Sequence, residues 1–506
     1  MLSALLFITV VQPTDVVIDA RIRKPISPYI YGVNHPDFKK MGPGITLARQ
    51  GGNRMTAYNW ETNASNAGSD WHHQNDGYLG ESNVSGWTAK TFLDAGQQNG
   101  AAVLLTIPTA GYVSADKNGD GDVNKTPNYL DVRFHKSLAR KGRPFAYPPD
   151  TKDRSVYQDE FVAWLQKTKS PKTPVWYSLD NEPDLWGHTH QRIWAKNPTY
   201  AEIISNNKEF ASAIKDVAPK SLVFGPANYG WMGFRRFQGA PDANNRDFLD
   251  VYLAAMKDAE RAGSRRLLDV LDIHWYPEAK GDGVRICFND GKSDKPGTNA
   301  ARIQAPRSLW DPSYVEDSWI TQSLQGKAIA LLPGILGQIS KQYPGTKLAI
   351  TEYNYGGANH ISGAIAQADV LGIFGRYGVF AACNWGLNAD NRAELAGFRS
   401  FANYDGKGSR FGDLGLQMSG TEAASISVYA SLDSKHRGQM TIVAINKKNE
   451  AMPFSATLEG FTAKSVTGYV VEGSEFSVHQ AKGASIAKSR VKATLPALSV
   501  TTFLVR

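Results

Sequence analysis

Between about residues 29 and 395 the chain repeats one theme, a short apolar, β-branched run that ends in polar or aromatic residues and leads into a helix-like stretch. Eight such runs can be counted, at 29–34, 53–58, 101–108, 175–183, 222–228, 270–277, 347–354 and 379–386. Helix candidates between them include 155–168, 200–217, 246–262, 327–343 and 361–377, each with apolar residues three and four positions apart. Alternating strand and helix makes a parallel sheet, and eight units are the number that closes a TIM barrel. The predicted fold class is therefore α/β, a (β/α)₈ barrel whose chemistry must sit at the C-terminal ends of its strands.

From about residue 420 the texture changes to short alternating segments, at 426–432, 440–446, 455–458, 465–471, 491–495 and 499–505, separated by Gly, Lys and Ser turns. That pattern reads as a β-sandwich. Residues 15–23 alternate in the same way, so the N-terminal strand is expected to join it. The expected division is 1–28 for that strand, 29–395 for the barrel and 396–506 for the sandwich. At 506 residues the chain is long enough for one large and one smaller domain.

Bulk properties exclude several classes. A hydrophobic share of 42% with a mean hydropathy of −0.36 argues against a membrane protein, and no stretch approaches the ~20 apolar residues of a spanning helix. The net charge of +8 is dispersed among 48 acidic residues without a basic block, which makes a nucleic-acid groove a poor reading. Two cysteines, Cys287 and Cys383, make no disulfide framework. Residues 2–11 resemble the apolar part of a signal peptide but lack a basic start and a small-residue cleavage site, and a strand is the better reading there.

Two carboxylates stand out at matched strand ends. The fourth run reads Val-Trp-Tyr-Ser-Leu-Asp-Asn-Glu-Pro and places Glu182 at its end; the seventh reads Leu-Ala-Ile-Thr-Glu-Tyr-Asn and places Glu352 at the same height. Strands four and seven face each other across a barrel lumen, so both carboxyl groups can flank a sugar ring, the requirement for glycoside hydrolysis. Like-charge repulsion would keep Glu182 protonated as the acid/base while Glu352 ionises as the nucleophile. Neither role needs a cofactor.

Other strand ends supply supporting groups. Asn181 can bind the sugar 2-hydroxyl, His274, Trp275 and Tyr276 close the sixth run, Tyr353 follows Glu352, Trp385 closes the eighth, and Arg54 in the second could lower the nucleophile's pKa. Trp60, Trp71, Trp87, Trp186, Trp231, Trp310 and Trp319 lie outside the runs, and about half are expected to line a cleft, because indoles stack on sugar rings. A row of them implies a polymer cut internally. Two oxygen clusters could hold a structural calcium: Glu61 with Asp150 and Asp153, and, less completely, Asp116, Asn118 and Asp120 in an EF-hand-like loop whose twelfth position is Pro127.

Six stretches resemble glycoside hydrolase family 44, the endoglucanase and xyloglucanase family. They are Tyr-Ile-Tyr-Gly-Val-Asn (29–34), Tyr-Asn-Trp-Glu-Thr-Asn-Ala-Ser-Asn-Ala-Gly-Ser-Asp-Trp (58–71), Ser-Leu-Asp-Asn-Glu-Pro-Asp-Leu-Trp (178–186), Leu-Asp-Ile-His-Trp-Tyr-Pro (271–277), Gln-Ala-Pro-Arg-Ser-Leu-Trp-Asp-Pro (304–312) and Ile-Thr-Glu-Tyr-Asn-Tyr-Gly-Gly (350–357). The resemblance implies a barrel with a β-sandwich and retaining endo-cleavage of β-1,4-glucans such as carboxymethylcellulose and xyloglucan, with Glu182 as acid/base and Glu352 as nucleophile. It also implies structural calcium near Glu61, Asp150 and Asp153, although the acidic insertion at 119–123 departs from the family pattern. A secreted, monomeric enzyme acting on a β-glucan polysaccharide is expected, since a polymer cannot enter a cell intact. A xylanase or mannanase of the same clan would share the catalytic pair, and a non-catalytic carbohydrate-binding protein would share the cleft.

Overall fold

The structure is a computed structural model and describes residues 14–170 and 172–506; the strand expected at 2–11 lies outside the described residues. The chain begins there with β1 (Thr14–Pro25). Eight parallel strands then close a barrel: β2 (Tyr29–Asn34), β3 (Leu47–Gln50), β4 (Ala102–Ile107), β5 (Val175–Leu179), β6 (Val223–Tyr229), β7 (Val270–Trp275), β8 (Lys347–Tyr353) and β9 (Ala381–Asn384). They are buried on both faces, which is why they read as unbroken apolar runs.

Seven of the eight runs fall on barrel strands. The exception is 53–58, where the structure has a one-turn helix at Asn53–Thr56 and the second strand is instead Leu47–Gln50. A four-residue strand is too short to show a period, and Gly51-Gly52 ends it at once.

Long helices α1 (Trp87–Gln98), α2 (Gln158–Thr168), α3 (Tyr200–Val217), α4 (Phe248–Gly263), α5 (Leu331–Gln342), α6 (Ile361–Tyr377) and α7 (Arg392–Ala402) follow strands β3 to β9. α7 runs past residue 395, so the domain boundary expected there falls inside a helix. Tyr29, Trp176, Phe224 and Phe380 plug the N-terminal end of the barrel with ring centroids 4.7 to 6.3 Å apart. Polar side chains in the lumen therefore lie above a closed apolar floor.

The C-terminal strands are β10 (Leu414–Ser419), β11 (Ile426–Leu432), β12 (Met440–Asn446), β13 (Met452–Glu459), β14 (Val466–Val471), β15 (His479–Ala481), β16 (Ser485–Ala487), β17 (Arg490–Leu495) and β18 (Ser499–Val505). With β1 they form one ten-stranded sheet ordered β15-β14-β18-β12-β11-β10-β1-β13-β17-β16. Phe454 on β13 stacks on Phe503 of β18 at 5.7 Å. Five strand spacings would hold them about 24 Å apart in a flat sheet. The sheet thus folds over on itself into the two layers of a sandwich, within which β1 lies antiparallel to β10 and parallel to β13.

Sheet and barrel share one helix. Every residue of α6 from Ile361 to Gly375 is buried, as expected of a helix apolar all round with the barrel on one side and the sheet on the other. On β12, Met440, Ile442 and Ala444 face the sandwich interior, while Val443 and Ile445 join the barrel-side core. Close approach requires Gly372, where a Cβ would stand 2.3 Å from the Tyr429 ring. At the centre, buried Asp369 of α6 takes an ion pair from Lys447 (2.7 Å) and a hydrogen bond from the Tyr429 hydroxyl (2.6 Å).

Removing Asp369 would strand a buried ammonium. Asp369→Ala is expected to lower unfolding free energy by about 3–5 kcal/mol, read from the midpoint of urea denaturation, whereas a loss under about 1 kcal/mol would mean that the pair contributes little.

Candidate active site

Inward-pointing residues alternate along each strand, so Val270, Asp272, His274 and Tyr276 rise through the lumen on one face of β7. On β8 the alternation is broken: Ile273 pairs with Ile350 and His274 with Glu352, which leaves Thr351 as a bulge. Because of that extra residue, both Thr351 and Glu352 reach lumen partners, Thr351 on Asp272 and Glu352 on Arg49 and Tyr276. Tyr353 turns outward to Gln367 on α6.

Glu182 is set by backbone constraint. Asp180 and Glu182 have φ of +67° and +44°, left-handed values that cost a non-glycine residue of order 1–3 kcal/mol and persist only where the surroundings impose them. The imposing contacts are Asp180, whose carboxylate accepts from the N–H groups of Thr109, Ala110 and Asn181, and the Glu182 N–H, which donates to Ala227 O at 3.0 Å. The Trp186 indole N–H donates to Asn181 O.

Arg49, fully buried, organises the rest. Nη1 donates to Glu352 Oε1 (2.6 Å) and Asn34 Oδ1 (3.0 Å); Nη2 donates to Asn181 Oδ1 (2.8 Å). The Gly52 N–H shares that Asn181 oxygen at 3.2 Å, so the side chain's NH₂ is left to meet a ligand. A Cβ on Gly51 would fall 2.3 Å from the guanidinium. The Tyr276 hydroxyl donates to Glu352 Oε2 at 2.7 Å. His274 bridges the carboxylates, with Nδ1 2.7 Å from Glu182 Oε1 and 3.4 Å from Glu352 Oε2. One oxygen from each glutamate lies within 4.8 Å of the other.

The two carboxyl groups are electrostatically unequal. Burial pushes Glu182 well above the usual range, and the charges of Glu352 and Asp184 push it further. Burial also raises Glu352, but Arg49's charge and the hydrogen bonds from Tyr276 and Arg49 oppose the rise. The pair therefore holds its first proton on Glu182. Burial, ahead of the expected charge repulsion, is the larger cause. His274 is held neutral by burial and by Arg49.

Beside the glutamates opens a cleft of about 790 Å³, walled by Trp71, Tyr78, Trp385, His35, Arg54 and Asp76 among others. Trp71 is 56% and Tyr78 76% exposed. A Cβ on Gly52 would strike the Trp385 ring at 2.7 Å, so the Gly51-Gly52 turn is what lets that indole lie over the site.

Several sequence expectations need correction. Arg54 does not reach Glu352; it pairs with Asp76 and lies 4.2 Å over the Tyr78 ring in the cleft wall, and Arg49 is the arginine paired with Glu352. Trp60, Trp186, Trp275 and Tyr353 are buried core residues: Trp60 stacks on Phe161, Trp186 packs on Trp194, and Trp275 on Phe234. None can stack on a sugar. Trp231 is likewise buried. Trp310 lies against Arg376 at the C-terminal end of α6, the end of the barrel away from Glu352. Trp87, 41% exposed, opens α1. Trp319, 37% exposed, begins the short helix Trp319–Ser323 in the β7–α5 connection and is not among the residues that wall the cleft.

Asp116 and Asp120 both pair with Arg133, and Asp116 accepts from the Asn118 N–H, so a guanidinium already supplies the positive charge an ion would bring there. Glu61 differs. Its Oε1, like Oε2 of Glu160, is buried without a partner, and burial with the charges of Asp153 and Glu160 pushes its carboxyl up to about 8. Asp150 and Asp153 turn to Arg143. Asn34, Arg49, Asp272 and Thr351 were not anticipated. The only sequence signal for Arg49 is its position just before Gly51-Gly52.

The family model described as Glycoside hydrolase family 44 matches residues 64–279. Over 455 residues the chain is 42% identical to a beta-mannanase/endoglucanase A of Caldicellulosiruptor saccharolyticus; the match takes in 84% of this chain and 33% of that protein, so the chain spans about a third of that relative's length. Among solved structures, a family 44 endoglucanase from Clostridium thermocellum superposes with a TM-score of 0.90 at 41% identity, covering 97% of this chain and 99% of that one. A family 44 xyloglucanase from Paenibacillus polymyxa, solved with xyloglucan, gives the same TM-score and coverage at 37% identity.

Tyr276→Phe removes a donor that holds Glu352 down. The Glu352 carboxyl should then titrate at higher pH than in the wild type, followed by ¹³C-carboxyl NMR; an unchanged titration would mean that Arg49 alone sets the carboxylate.

Proposed function

The chain belongs to glycoside hydrolase family 44, and on that premise we propose that it cleaves internal β-1,4-glucosidic bonds of cellulose-type glucans and xyloglucan by double displacement. Glu182 serves as acid/base and Glu352 as nucleophile. The observation that carries these roles is a pair of carboxyl groups with oxygens within 4.8 Å, one protonated by its surroundings and the other hydrogen-bonded by Arg49 and Tyr276. Retaining enzymes hold their carboxyl groups about 5–5.5 Å apart, inverting ones about 6.5–9.5 Å.

In the first step Glu352 attacks the anomeric carbon while Glu182 gives its proton to the leaving oxygen. Asn181, its carbonyl fixed by Arg49 and Gly52, donates to the 2-hydroxyl, a contact that strengthens as positive charge develops on the ring. Glu182, now a carboxylate, deprotonates the water that hydrolyses the glycosyl ester. Trp71, Tyr78 and Trp385 give sugar rings flat faces along an open cleft, which suits a polymer cut internally. Every catalytic group comes from one chain, consistent with a monomer. Such a polymer is met outside the cell, so we place the enzyme there; among the described residues no helix is long and apolar enough to cross a membrane.

A structural calcium is part of this reading. Glu61, Glu160, Asp150 and Asp153 would hold it, because two buried carboxylate oxygens there lack partners and hard oxygen donors suit that ion. It would supply charge neutralisation between loops and take no part in the reaction. Chelation should lower the melting temperature, with loss of up to about 2.7 kcal/mol where calcium stands at a hundred times its Kd; an unchanged melting curve in EDTA would remove the ion from the account.

The roles are tested with Glu182→Ala and Glu352→Gly on xyloglucan, carboxymethylcellulose, xylan and mannan. Each variant should lose about 10²–10⁴-fold or more in kcat, azide should rescue Glu182→Ala as a β-glycosyl azide, and the wild type should release the β-anomer first. Wild-type turnover by either variant would overturn the assignment.

A further inference from the structure

Below the two glutamates the lumen holds a polar chain that the reaction above does not use. Asp272 is wholly buried two residues before His274 on β7. Its Oδ2 is 2.8 Å from Thr351 Oγ1, and that hydroxyl is 3.3 Å from Nε2 of His274. The ring's other nitrogen lies between Glu182 and Glu352. The remaining charged or titratable groups facing this chain are Arg49 from β3, Tyr276 beyond β7 and Cys383 from β9.

Each link has a direction. His274 Nε2 faces Arg49 Nη2 at 3.4 Å, and a guanidinium offers donors only. That Nη2 is shared with Asn181 at 2.8 Å, so the tautomer of the neutral ring turns on the second group facing Nε2, the Thr351 hydroxyl: a donor there leaves Nε2 bare and the proton on Nδ1. Thr351 has a single hydroxyl proton. It can donate that proton to Nε2 only when Asp272 does not claim it, which requires Asp272 to be protonated and to donate to Oγ1 itself. Burial pushes Asp272 up to about 7, against the opposing pull of Arg49 and Thr351.

We propose that Asp272 and Thr351 are positioning residues: by donating in sequence toward Nε2, they lock the His274 proton on Nδ1, where both glutamates can use it. The proposal rests on the retaining reading above. With Nδ1–H directed at Oε1 of Glu182, the acid's own proton belongs on Oε2, free for the leaving oxygen. In the first step negative charge passes from Glu352, which becomes an ester, to Glu182, which loses its proton; in the second it passes back. A single N–H at 2.7 and 3.4 Å from the two acceptors can follow that charge without the ring turning over.

The test is ¹⁵N NMR of the imidazoles, with the His274 signal identified by its loss in His274→Gln, beside kcat and KM on carboxymethylcellulose. The wild type should show the Nδ1–H tautomer at about pH 6 and lose it above about pH 8, as Asp272 ionises. Asp272→Asn, whose amide donates at every pH, should keep that signature through the alkaline range. Thr351→Val should lose it, with kcat down about tenfold or more and KM within about twofold, and Thr351→Ser should restore both. An Nε2–H tautomer in the wild type, or an unaltered signature and kcat in Thr351→Val, would overturn the proposal. The tautomer is read without turnover, so an inactive wild type with the Nδ1–H signature would sink the enzymatic reading and leave the relay standing.

Discussion

A guanidinium with no solvent exposure lies at the centre of this barrel, and the site is arranged around balancing it. Taking an arginine out of water costs several kcal/mol unless charge and hydrogen bonds replace the solvent. Arg49 finds Glu352 for charge and the side-chain oxygens of Asn34 and Asn181 for further donors on Nη1 and Nη2, while its Nε is buried without a partner. Each partner is thereby fixed: Glu352 has a counter-charge on one oxygen, and the asparagine beside Glu182 has its amide turned. Loss of Arg49 would leave Glu352 buried without a counter-charge, so the stability of the lumen and the reactivity of the carboxylate rest on the same contact. The two glycines after Arg49 belong to this arrangement, since a side chain at either would collide with the guanidinium or with Trp385.

What the sequence made legible follows from length and pattern. Strands 175–179 and 347–353 carry enough consecutive β-branched and aromatic residues to be read, and the residues at their ends include Glu182 and Glu352. Leu47–Gln50 does not, and the run at 53–58 that looks like the second strand carries Arg54, five residues past the arginine that enters the lumen. The tryptophans misled for a different reason. An indole in a loop looks the same in sequence whether it faces solvent or a second layer beneath the loop, and Trp60 and Trp186 pack inward on Phe161 and Trp194. The polar lumen was illegible in principle, because Asp272 and Thr351 are single residues in apolar strands and the bulge that brings Thr351 inward shows only in the pairing.

The C-terminal sheet is part of the barrel's shell. One face of β12 fills the sandwich and the other covers α6, whose Asp369 receives Lys447 and Tyr429 from the sheet. α6 in turn packs on Tyr353, the residue after Glu352, through Phe374 and Gln367. A continuous packed path of three layers thus runs from sheet to β8, with buried polar groups at two of its contacts.

β1 gives the molecule an unusual history in time. It leads the described chain, yet its neighbours β10 and β13 begin about 390 and 430 residues later. At about 5–20 residues per second of synthesis, a strand made to be hydrogen-bonded on both sides waits some 20–80 s with both edges bare, while the whole barrel forms between it and its partners. Its buried residues Val16, Ile18 and Ala20 are interspersed with charged ones, Asp15, Asp19, Arg21 and Arg23, and charge on an unpaired edge is the usual guard against the wrong strand arriving first. The surface pairs Arg21 makes with Asp19 and Glu459 in the finished molecule are what become of that guard once the right strands have come.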